Sequence, residues 1–150
     1  MRVWRVCRRR HAAFDGEGAR LAGGRWNYPG TAIVYTSATL SLAALELLVH
    51  VLPGDVPSGL VAIAADIPDT LYKIVIEPGV VPGRDWRRYP ALLGLCRLGT
   101  SWASDMESAV LAVPSTVIPT ERNYLINPAH PGFREIRLAE PEPFTLRLPR

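Results

Sequence analysis

Apolar and polar residues alternate at the start of the chain, where Val3 and Val6 flank Trp4 among arginines. A period of two predicts a short strand with one buried face over residues 1–6. Residues 14–24 are predicted to form a loop, because they contain five glycine and aspartate positions typical of tight turns. Residues 32–36 are rich in β-branched and aromatic side chains, so a buried strand is expected there.

The spacing of the apolar residues changes after this second predicted strand. Leucine and valine recur every three or four residues, which is the period of one helical face. Ser37 or Thr39 is suited to cap this helix, and its end is expected before Pro53. Glu46 lies in the helix, beside the predicted core face. The apolar positions assigned to that face are Leu42, Leu45, Leu48 and Val49.

The rest of the chain is predicted to be mostly strand. A second helix is expected from Pro90 and should stop at Gly99, since proline suits a first turn and glycine a C-terminus. Residues 122–131 are interpreted as turns built by the side chains of Asn123, Asn127 and His130. Further strands are predicted over residues 60–65, 71–76 and 109–113, with two short strands within residues 133–148, interrupted at residues 140–143.

These elements indicate an α+β fold, a mixed β-sheet with a few packed helices. A length of 150 residues suits one domain, and no linker divides the sequence, so residues 1–150 are treated as a single domain. No apolar run follows the N-terminal arginines, and the most apolar stretch, residues 40–52, is too short to span a bilayer. Cys7 and Cys96 form no CxxC pair, so neither a disulfide framework nor a cysteine-based metal site is expected, and a reducing cytoplasm fits.

The sequence lacks the motifs of several common metal-binding, nucleotide-binding and hydrolytic sites. The three histidines, His11, His50 and His130, do not form HExxH, and the glycines form neither GxGxxG nor a P-loop. A GxSxG elbow is also missing, which argues against serine hydrolysis. Arginines cluster at residues 8–10 and again at Arg84, Arg87 and Arg88, in a chain of net charge +3. Such clusters suit nucleic acid, a phosphate-bearing small molecule, an acidic protein partner, or simply a solvated surface.

Three motifs near the N-terminus occur in a specific order: residues 23–27 (GGRWN), 34–37 (VYTS) and 42–46 (LAALE). Arg25 and Tyr35 are ten residues apart, and Glu46 follows eleven residues later. Later runs at residues 109–115 (AVLAVPS) and 123–131 (NYLINPAHP) complete the pattern. Together they resemble the RES-domain family over nearly the whole chain.

This resemblance implies a fold related to ADP-ribosyltransferases and an activity that destroys NAD⁺, with NAD⁺ as substrate and neither a separate cofactor nor a metal. It also implies a cytoplasmic toxin silenced by a cognate Xre-type helix-turn-helix antitoxin, and it allows a homodimer within the toxin–antitoxin complex. Direct nucleic-acid binding and membrane association are not expected. The site residues it implies are Arg5, Arg25, Tyr35, Glu46 and Ser115, with Ser108 competing with Ser115 as the family's serine.

These residue types suit cleavage of the nicotinamide–ribose bond, whose transition state carries positive charge on the ribose. Glu46 is assigned to stabilise that charge, and Arg25, with Arg5, to hold the pyrophosphate. Tyr35 is expected to stack on nicotinamide with its hydroxyl free for a ribose or phosphate oxygen, and Ser115 to bond the ligand. Water and inorganic phosphate remain alternative acceptors, transfer to a protein is a second hypothesis, and a non-enzymatic module that binds nucleic acid is a third.

Overall fold

The computed structural model describes residues 1–52, 54–81 and 85–147. Eight strands form one sheet, in the order β4-β5-β6-β2-β1-β3-β7, with β8 also paired to β3. The strands are β1 (Arg2–Arg8), β2 (Val34–Ser37), β3 (Leu60–Asp66), β4 (Lys73–Val75), β5 (Val110–Pro114), β6 (Arg122–Ile126), β7 (Arg137–Leu138) and β8 (Glu142–Phe144). The helices are α1 (Glu17–Ala22), α2 (Leu40–Leu48) and α3 (Leu93–Ser104).

The sheet is mixed. Strand β4 pairs with β5 in parallel, whereas the remaining strand pairs are antiparallel. The predicted α+β architecture, a mixed sheet with a few packed helices, is therefore confirmed. Separate apolar clusters pack around the sheet: one includes Val61 and Ile126, and another joins Trp26 and Trp102 to Leu125. No helix in the described ranges is long and apolar enough to cross a bilayer.

Helix α2 begins where its sequence predicts. The Thr39 hydroxyl, rather than that of Ser37, accepts a hydrogen bond from the backbone N–H of Leu42 at 3.1 Å. This is the usual N-cap arrangement, in which a side chain satisfies a backbone donor of the first turn. The helix ends at Leu48, and Pro53, which was expected to follow the end, lies outside the described residues.

The predicted buried face of α2 is partly wrong. Leu45 and Val49 are 39% and 55% exposed, whereas Leu42, Ala43 and Ala44 are buried. The small alanine side chains allow the helix to approach the sheet, where Ala43 packs in one cluster with Val6 of β1. The helix is therefore rotated relative to the leucine stripe. This rotation turns Ala43, Glu46 and Leu47 towards a cavity beside the sheet, which His50, just after the helix, also lines.

The predicted loop over residues 14–24 contains the short helix α1. Gly16 precedes it with a φ of 71°, and Gly23 follows it with a φ of 75°, so these two glycines flank a helix instead of forming a continuous loop. The Asp15 carboxylate accepts a hydrogen bond from the backbone N–H of Glu17 at 3.1 Å. An ion pair between Glu17 and Arg20 then spans one turn of α1.

Helix α3 does not stop at Gly99, contrary to the sequence-based expectation. It starts at Leu93, three residues after Pro90, and continues to Ser104 with Gly99 buried in its interior. A Cβ atom at Gly99 would overlap the backbone carbonyl oxygen of Trp26. The glycine therefore allows close contact between α3 and the 23–27 loop, and it does not act as a helix terminator.

Strand β6 replaces part of the segment predicted as turns. It occupies the centre of the sheet, pairing with β2 on one side and β5 on the other, and its Leu125 and Ile126 are fully buried. The strand was missed in the sequence because its first two residues, Arg122 and Asn123, are polar and resemble the start of a turn. The turn prediction is confirmed for the next residues, where Asn127 accepts from the N–H of Ala129 and His130 from that of Gly132.

The shorter strands differ in extent from their predictions. Strand β4 covers three residues of the predicted 71–76. Strand β8 begins inside the Glu140–Pro143 sequence that was expected to interrupt the tail, pairing Pro143 with Val61 at the sheet edge. An edge position tolerates proline because its missing N–H faces away from the sheet. The predicted tail extended to Leu148, which lies outside the described residues.

Candidate active site

A cavity of about 790 Å³ lies where β1 and β2 separate. The two strands share one backbone pair, Trp4 with Ser37, whereas β1 pairs with β3 along all of its residues from Arg2 to Arg8. Beyond Trp4 the sheet is therefore open. Residues 5–8 of β1 and 35–37 of β2 line the opening, together with the 23–26 loop and the inner face of α2. This volume is within the usual range for small-molecule sites.

Glu46 is held in this cavity by two side chains from distant parts of the chain. The Ser115 hydroxyl donates to its Oε1 atom at 2.6 Å, and the Asn123 Nδ2 atom donates to the same oxygen at 2.6 Å. No hydrogen bond from the described residues reaches Oε2. One carboxylate oxygen therefore fixes the group to the protein, and the other remains available as an acceptor for a ligand.

Asn123 is a site residue that sequence reasoning assigned only to a turn. It pairs with Ser37 across β6 and β2, and the Ser37 hydroxyl donates to its Oδ1 atom at 2.7 Å. This bond fixes the orientation of the amide, so that its Nδ2 group faces Glu46. The signal in the sequence was its position at the start of the second RES-like run, residues 123–131.

Ser115 acts on Glu46 and not on a ligand, which corrects the role assigned to it from the sequence. Its side chain is fully buried, and its hydroxyl oxygen also accepts from the backbone N–H groups of Val117 and Ile118 at 3.0 and 3.1 Å. With one donor and two acceptor positions occupied, the hydroxyl has no capacity left for substrate. Ser115 is therefore a positioning residue for the carboxylate.

Ser108, the alternative serine, lies in the core. Its hydroxyl accepts from Trp102 Nε1 at 2.8 Å and donates to the carbonyl of Val110 at 2.7 Å. It does not line the cavity. Of the two candidates, only Ser115 contacts Glu46.

Tyr35 lines the cavity, but its hydroxyl is not free, contrary to expectation. The hydroxyl donates to Asn27 Oδ1 at 2.6 Å and accepts from the backbone N–H of Trp26 at 3.1 Å. Burial raises the pKa of Tyr35 above its ordinary value, so the phenol stays protonated. A Cβ atom at Gly24 would lie 2.6 Å from the hydroxyl oxygen. The Tyr35 hydroxyl therefore holds the 23–27 loop in place through these two hydrogen bonds.

Arg25 is carried by that loop and is half-buried at the cavity wall. Its Nη1 atom donates to the backbone carbonyls of Trp86 and Arg88, at 3.1 and 2.8 Å. Burial lowers the pKa of Arg25, and the electrostatic attraction of Glu46 acts in the opposite direction. A guanidinium has five N–H donors, so three remain beyond the two that hold the 86–88 segment.

Arg5 is the fifth residue expected in the site. It is half-buried, lines the cavity, and donates from Nη1 to the Tyr35 carbonyl at 3.4 Å, across the opening between β1 and β2. The structure thus places Arg5, Arg25, Tyr35 and Glu46 around one cavity, with Ser115 directly behind Glu46.

The cavity wall is cationic. It contains Arg5, Arg8, Arg10 and Arg25, but Glu46 is the only carboxylate among its described residues. The ion pairs of the described ranges involve other basic groups: the N-terminus, Arg2, Arg20 and Arg122. Of the second arginine cluster, Arg87 donates to the carbonyl of Thr116, and Arg84 lies outside the described residues. The wall therefore favours an anionic ligand.

Neither thiol nor metal chemistry is suggested by the residues of the site. Cys7 and Cys96 are free and line the cavity, and burial raises the pKa of both thiols. Both therefore remain protonated near neutral pH and are poor nucleophiles. Within the described ranges, no group of three or more histidine, cysteine or acidic side chains is arranged to hold a metal ion.

Removing the Tyr35 hydroxyl tests its positioning role. In Tyr35→Phe the ring remains, but the Trp26 N–H and the Asn27 Oδ1 atom lose their partner, which should reduce the free energy of unfolding by about 1–3 kcal/mol. Urea titration measures this loss. Tyr124→Phe is the control, because no hydrogen bond between described residues involves the hydroxyl of this half-buried tyrosine. A Tyr35→Phe protein as stable as the wild type would contradict the positioning role of the hydroxyl.

Comparison with known proteins identifies the family. The RES domain model matches residues 2–147. A Sphingobium sp. (strain YBL2) protein named "Prs ADP-ribosylating toxin" is 39% identical over 140 residues, covering 89% of this chain and 86% of that protein. "Toxin Res" of Yersinia enterocolitica is 38% identical over 136 residues, covering 89% and 88%. "Toxin Res" of Pseudomonas putida is 33% identical over 147 residues, covering 97% and 96%.

A solved structure shares the fold. A chain of the M. tuberculosis MbcT–MbcA toxin–antitoxin complex superposes with a TM-score of 0.77, at 19% identity, covering 96% of this chain and 84% of that one. At this identity the likeness concerns the fold alone. The family match and the relatives above carry the assignment: the chain belongs to the RES-domain family, and those relatives are named toxins.

Proposed function

We propose that this toxin cleaves the nicotinamide–ribose bond of NAD⁺, with water or inorganic phosphate as acceptor, and inhibits growth by depleting NAD⁺. The observation that carries the proposal is the geometry of Glu46. It is the carboxylate of a cationic cavity, with Oε1 held by Ser115 and Asn123 and Oε2 left as an acceptor. A negative charge fixed in this way suits a reaction that develops positive charge.

Cleavage of the nicotinamide–ribose bond requires little from the protein beyond the negative charge of Glu46. As the bond breaks, its electron pair leaves with nicotinamide, and positive charge spreads over C1′ and the ring oxygen of the ribose. Glu46 stabilises that charge or binds the ribose hydroxyls, and preorganised interactions of this kind contribute roughly 3–4 kcal/mol. Nicotinamide leaves as a neutral molecule, so no general acid is required. The acceptor oxygen then bonds to C1′, giving ADP-ribose from water, with release of a proton, or its 1″-phosphate from phosphate.

The cationic wall supports binding of the pyrophosphate. Arg25 retains three N–H donors beyond those that hold the 86–88 segment, and Arg5 lies across the opening from the same loop. Paired N–H groups of a guanidinium match two phosphate oxygens, a geometry that lysine lacks. The ring of Tyr35, whose hydroxyl is occupied, remains available for a flat contact with nicotinamide.

Transfer of ADP-ribose to a protein is the second candidate. It is favoured by the Sphingobium relative, which is named an ADP-ribosylating toxin of Prs and is 39% identical to this chain. The same carboxylate would serve both reactions, because they share the bond that breaks. They differ only in whether a protein side chain or a small molecule reaches C1′ first.

Product identification distinguishes these reactions. Purified protein is incubated with NAD⁺ in phosphate-free buffer, with added phosphate, and with a cell lysate, and the products are identified by mass. The primary proposal predicts free ADP-ribose or its phosphorylated form, together with nicotinamide. ADP-ribose attached to protein, without free product, would favour the second candidate. Intact NAD⁺ under all three conditions would overturn both.

We further propose that the partner is an antitoxin of the Xre helix-turn-helix type, acting on the cationic cavity. Support comes from the fold shared with a chain of a toxin–antitoxin complex and from the four arginines of the cavity wall. An acidic segment of the partner would complement this wall. Co-purification with the product of the neighbouring gene, followed by light scattering, tests the complex and the proposed homodimer within it. A toxin that is not silenced by that product would contradict the pairing.

A further inference from the structure

Tyr89 combines a fixed backbone with an unpacked ring. Its side chain is 83% exposed at the rim of the cavity. The residues just before it are anchored: the Trp86 side chain is 9% exposed and packs in the core, and Arg87 Nε donates to the carbonyl of Thr116 at 2.8 Å. Arg25 Nη1 donates to the carbonyls of Trp86 and Arg88. The segment therefore presents the ring from a defined position.

An exposed tyrosine is not in itself a binding site, and the chain offers a comparison. Tyr72 is 68% exposed but does not line the cavity. Tyr89 does, beside the guanidinium that we assign to the pyrophosphate. An aromatic side chain at the mouth of a ligand cavity is suited to stack on a planar heterocycle. Such stacking requires no rearrangement of core residues.

The order of groups along the cavity indicates which heterocycle. Arg25 lines the same cavity as Glu46, and its Nη1 atom donates to the carbonyl of Arg88, the residue directly before Tyr89. In a dinucleotide, the nicotinamide ribose is followed by the pyrophosphate and then by adenosine. With Glu46 at the nicotinamide ribose and Arg25 at the pyrophosphate, Tyr89 is left for the base of the second nucleotide.

We propose that Tyr89 is the adenine-stacking residue of this toxin and that it makes the enzyme prefer a dinucleotide to a mononucleotide. This inference rests on the proposed function for the position of the nicotinamide end. Arg25 then has two tasks: it binds phosphate, and through the carbonyls of Trp86 and Arg88 it holds the segment that carries Tyr89. Phosphate binding and base stacking are thereby linked in one structural unit.

The test compares NAD⁺ with nicotinamide mononucleotide, which has the scissile bond but no adenosine. Tyr89→Ala should lower kcat/KM for NAD⁺ by on the order of tenfold, through KM, because stacking of one base contributes about that factor. The rate with the mononucleotide should not change. Tyr89→Phe should retain most of the preference for NAD⁺, since the ring face remains, and Tyr72→Ala is the matched exposed control.

Two results would overturn the inference: equal kcat/KM of Tyr89→Ala and wild type with NAD⁺, or the same loss with both substrates. Calorimetric binding of ADP-ribose separates this inference from the proposed function. If the wild type cleaves nothing, the proposed function fails, but a tenfold weaker binding of ADP-ribose to Tyr89→Ala would still support stacking. Unchanged ADP-ribose binding would refute it.

Discussion

Replacing Glu46 with glutamine should abolish growth inhibition while the protein remains folded. Glutamine keeps the length of the side chain, and its Oε1 atom can still accept from Ser115 and Asn123, but the negative charge is lost. Without that charge the cationic transition state loses a stabilisation worth on the order of 100- to 1000-fold in rate. Growth after induced expression measures the effect, and circular dichroism checks the fold.

Two further variants make the Glu46 result specific. Glu142→Gln removes one carboxylate from an exposed edge strand and should stay fully toxic. Arg25→Ala should also lose toxicity, but it removes a phosphate ligand and releases the 86–88 segment together, so it is a less selective change. Full toxicity of Glu46→Gln would show that the carboxylate is not part of the chemistry.

Replacing Gly99 with alanine should destabilise the protein strongly, although alanine favours helix more than glycine does. The new Cβ atom would overlap the carbonyl oxygen of Trp26, whose side chain is 3% exposed and whose N–H is held by Tyr35. Neither α3 nor the loop can move apart without opening the core. The loss should be on the order of 3 kcal/mol, the upper range for overpacking.

Gly18→Ala is the matched control for this change. Gly18 also lies within a helix, α1, but a Cβ atom there would have no neighbour within 4 Å. Alanine should therefore leave stability unchanged or raise it by up to about 1 kcal/mol. Urea unfolding of the two variants gives the comparison. If Gly99→Ala were as stable as Gly18→Ala, the close contact between α3 and the 23–27 loop would be wrong.

The parts of the fold that depend on local sequence were predictable. A β-branched and aromatic run marked strand β2, and Ser37 or Thr39 marked the start of α2, because strand propensity and capping act within a few residues. The motifs also identified residues that the structure places around one cavity, including Arg25, Tyr35 and Glu46.

What the sequence could not reveal depends on distant contacts. Gly99 has the local signature of a helix end, and only its contact with Trp26, in another part of the chain, explains why the helix continues. The polar start of β6 hides a central strand, and with it the bond from Asn123 to Glu46. The roles of Ser115 and Tyr35 changed for the same reason, since hydrogen-bond capacity is decided by partners that folding brings together.

The proposed function assigns cleavage of the nicotinamide–ribose bond to a carboxylate positioned by Ser115 and Asn123. Release of nicotinamide from NAD⁺ by purified protein, measured for the wild type and for Glu46→Gln, decides whether this assignment holds. We expect steady release by the wild type and a rate at least about 100-fold lower for the variant. Equal release by both proteins, or none by the wild type, would contradict it.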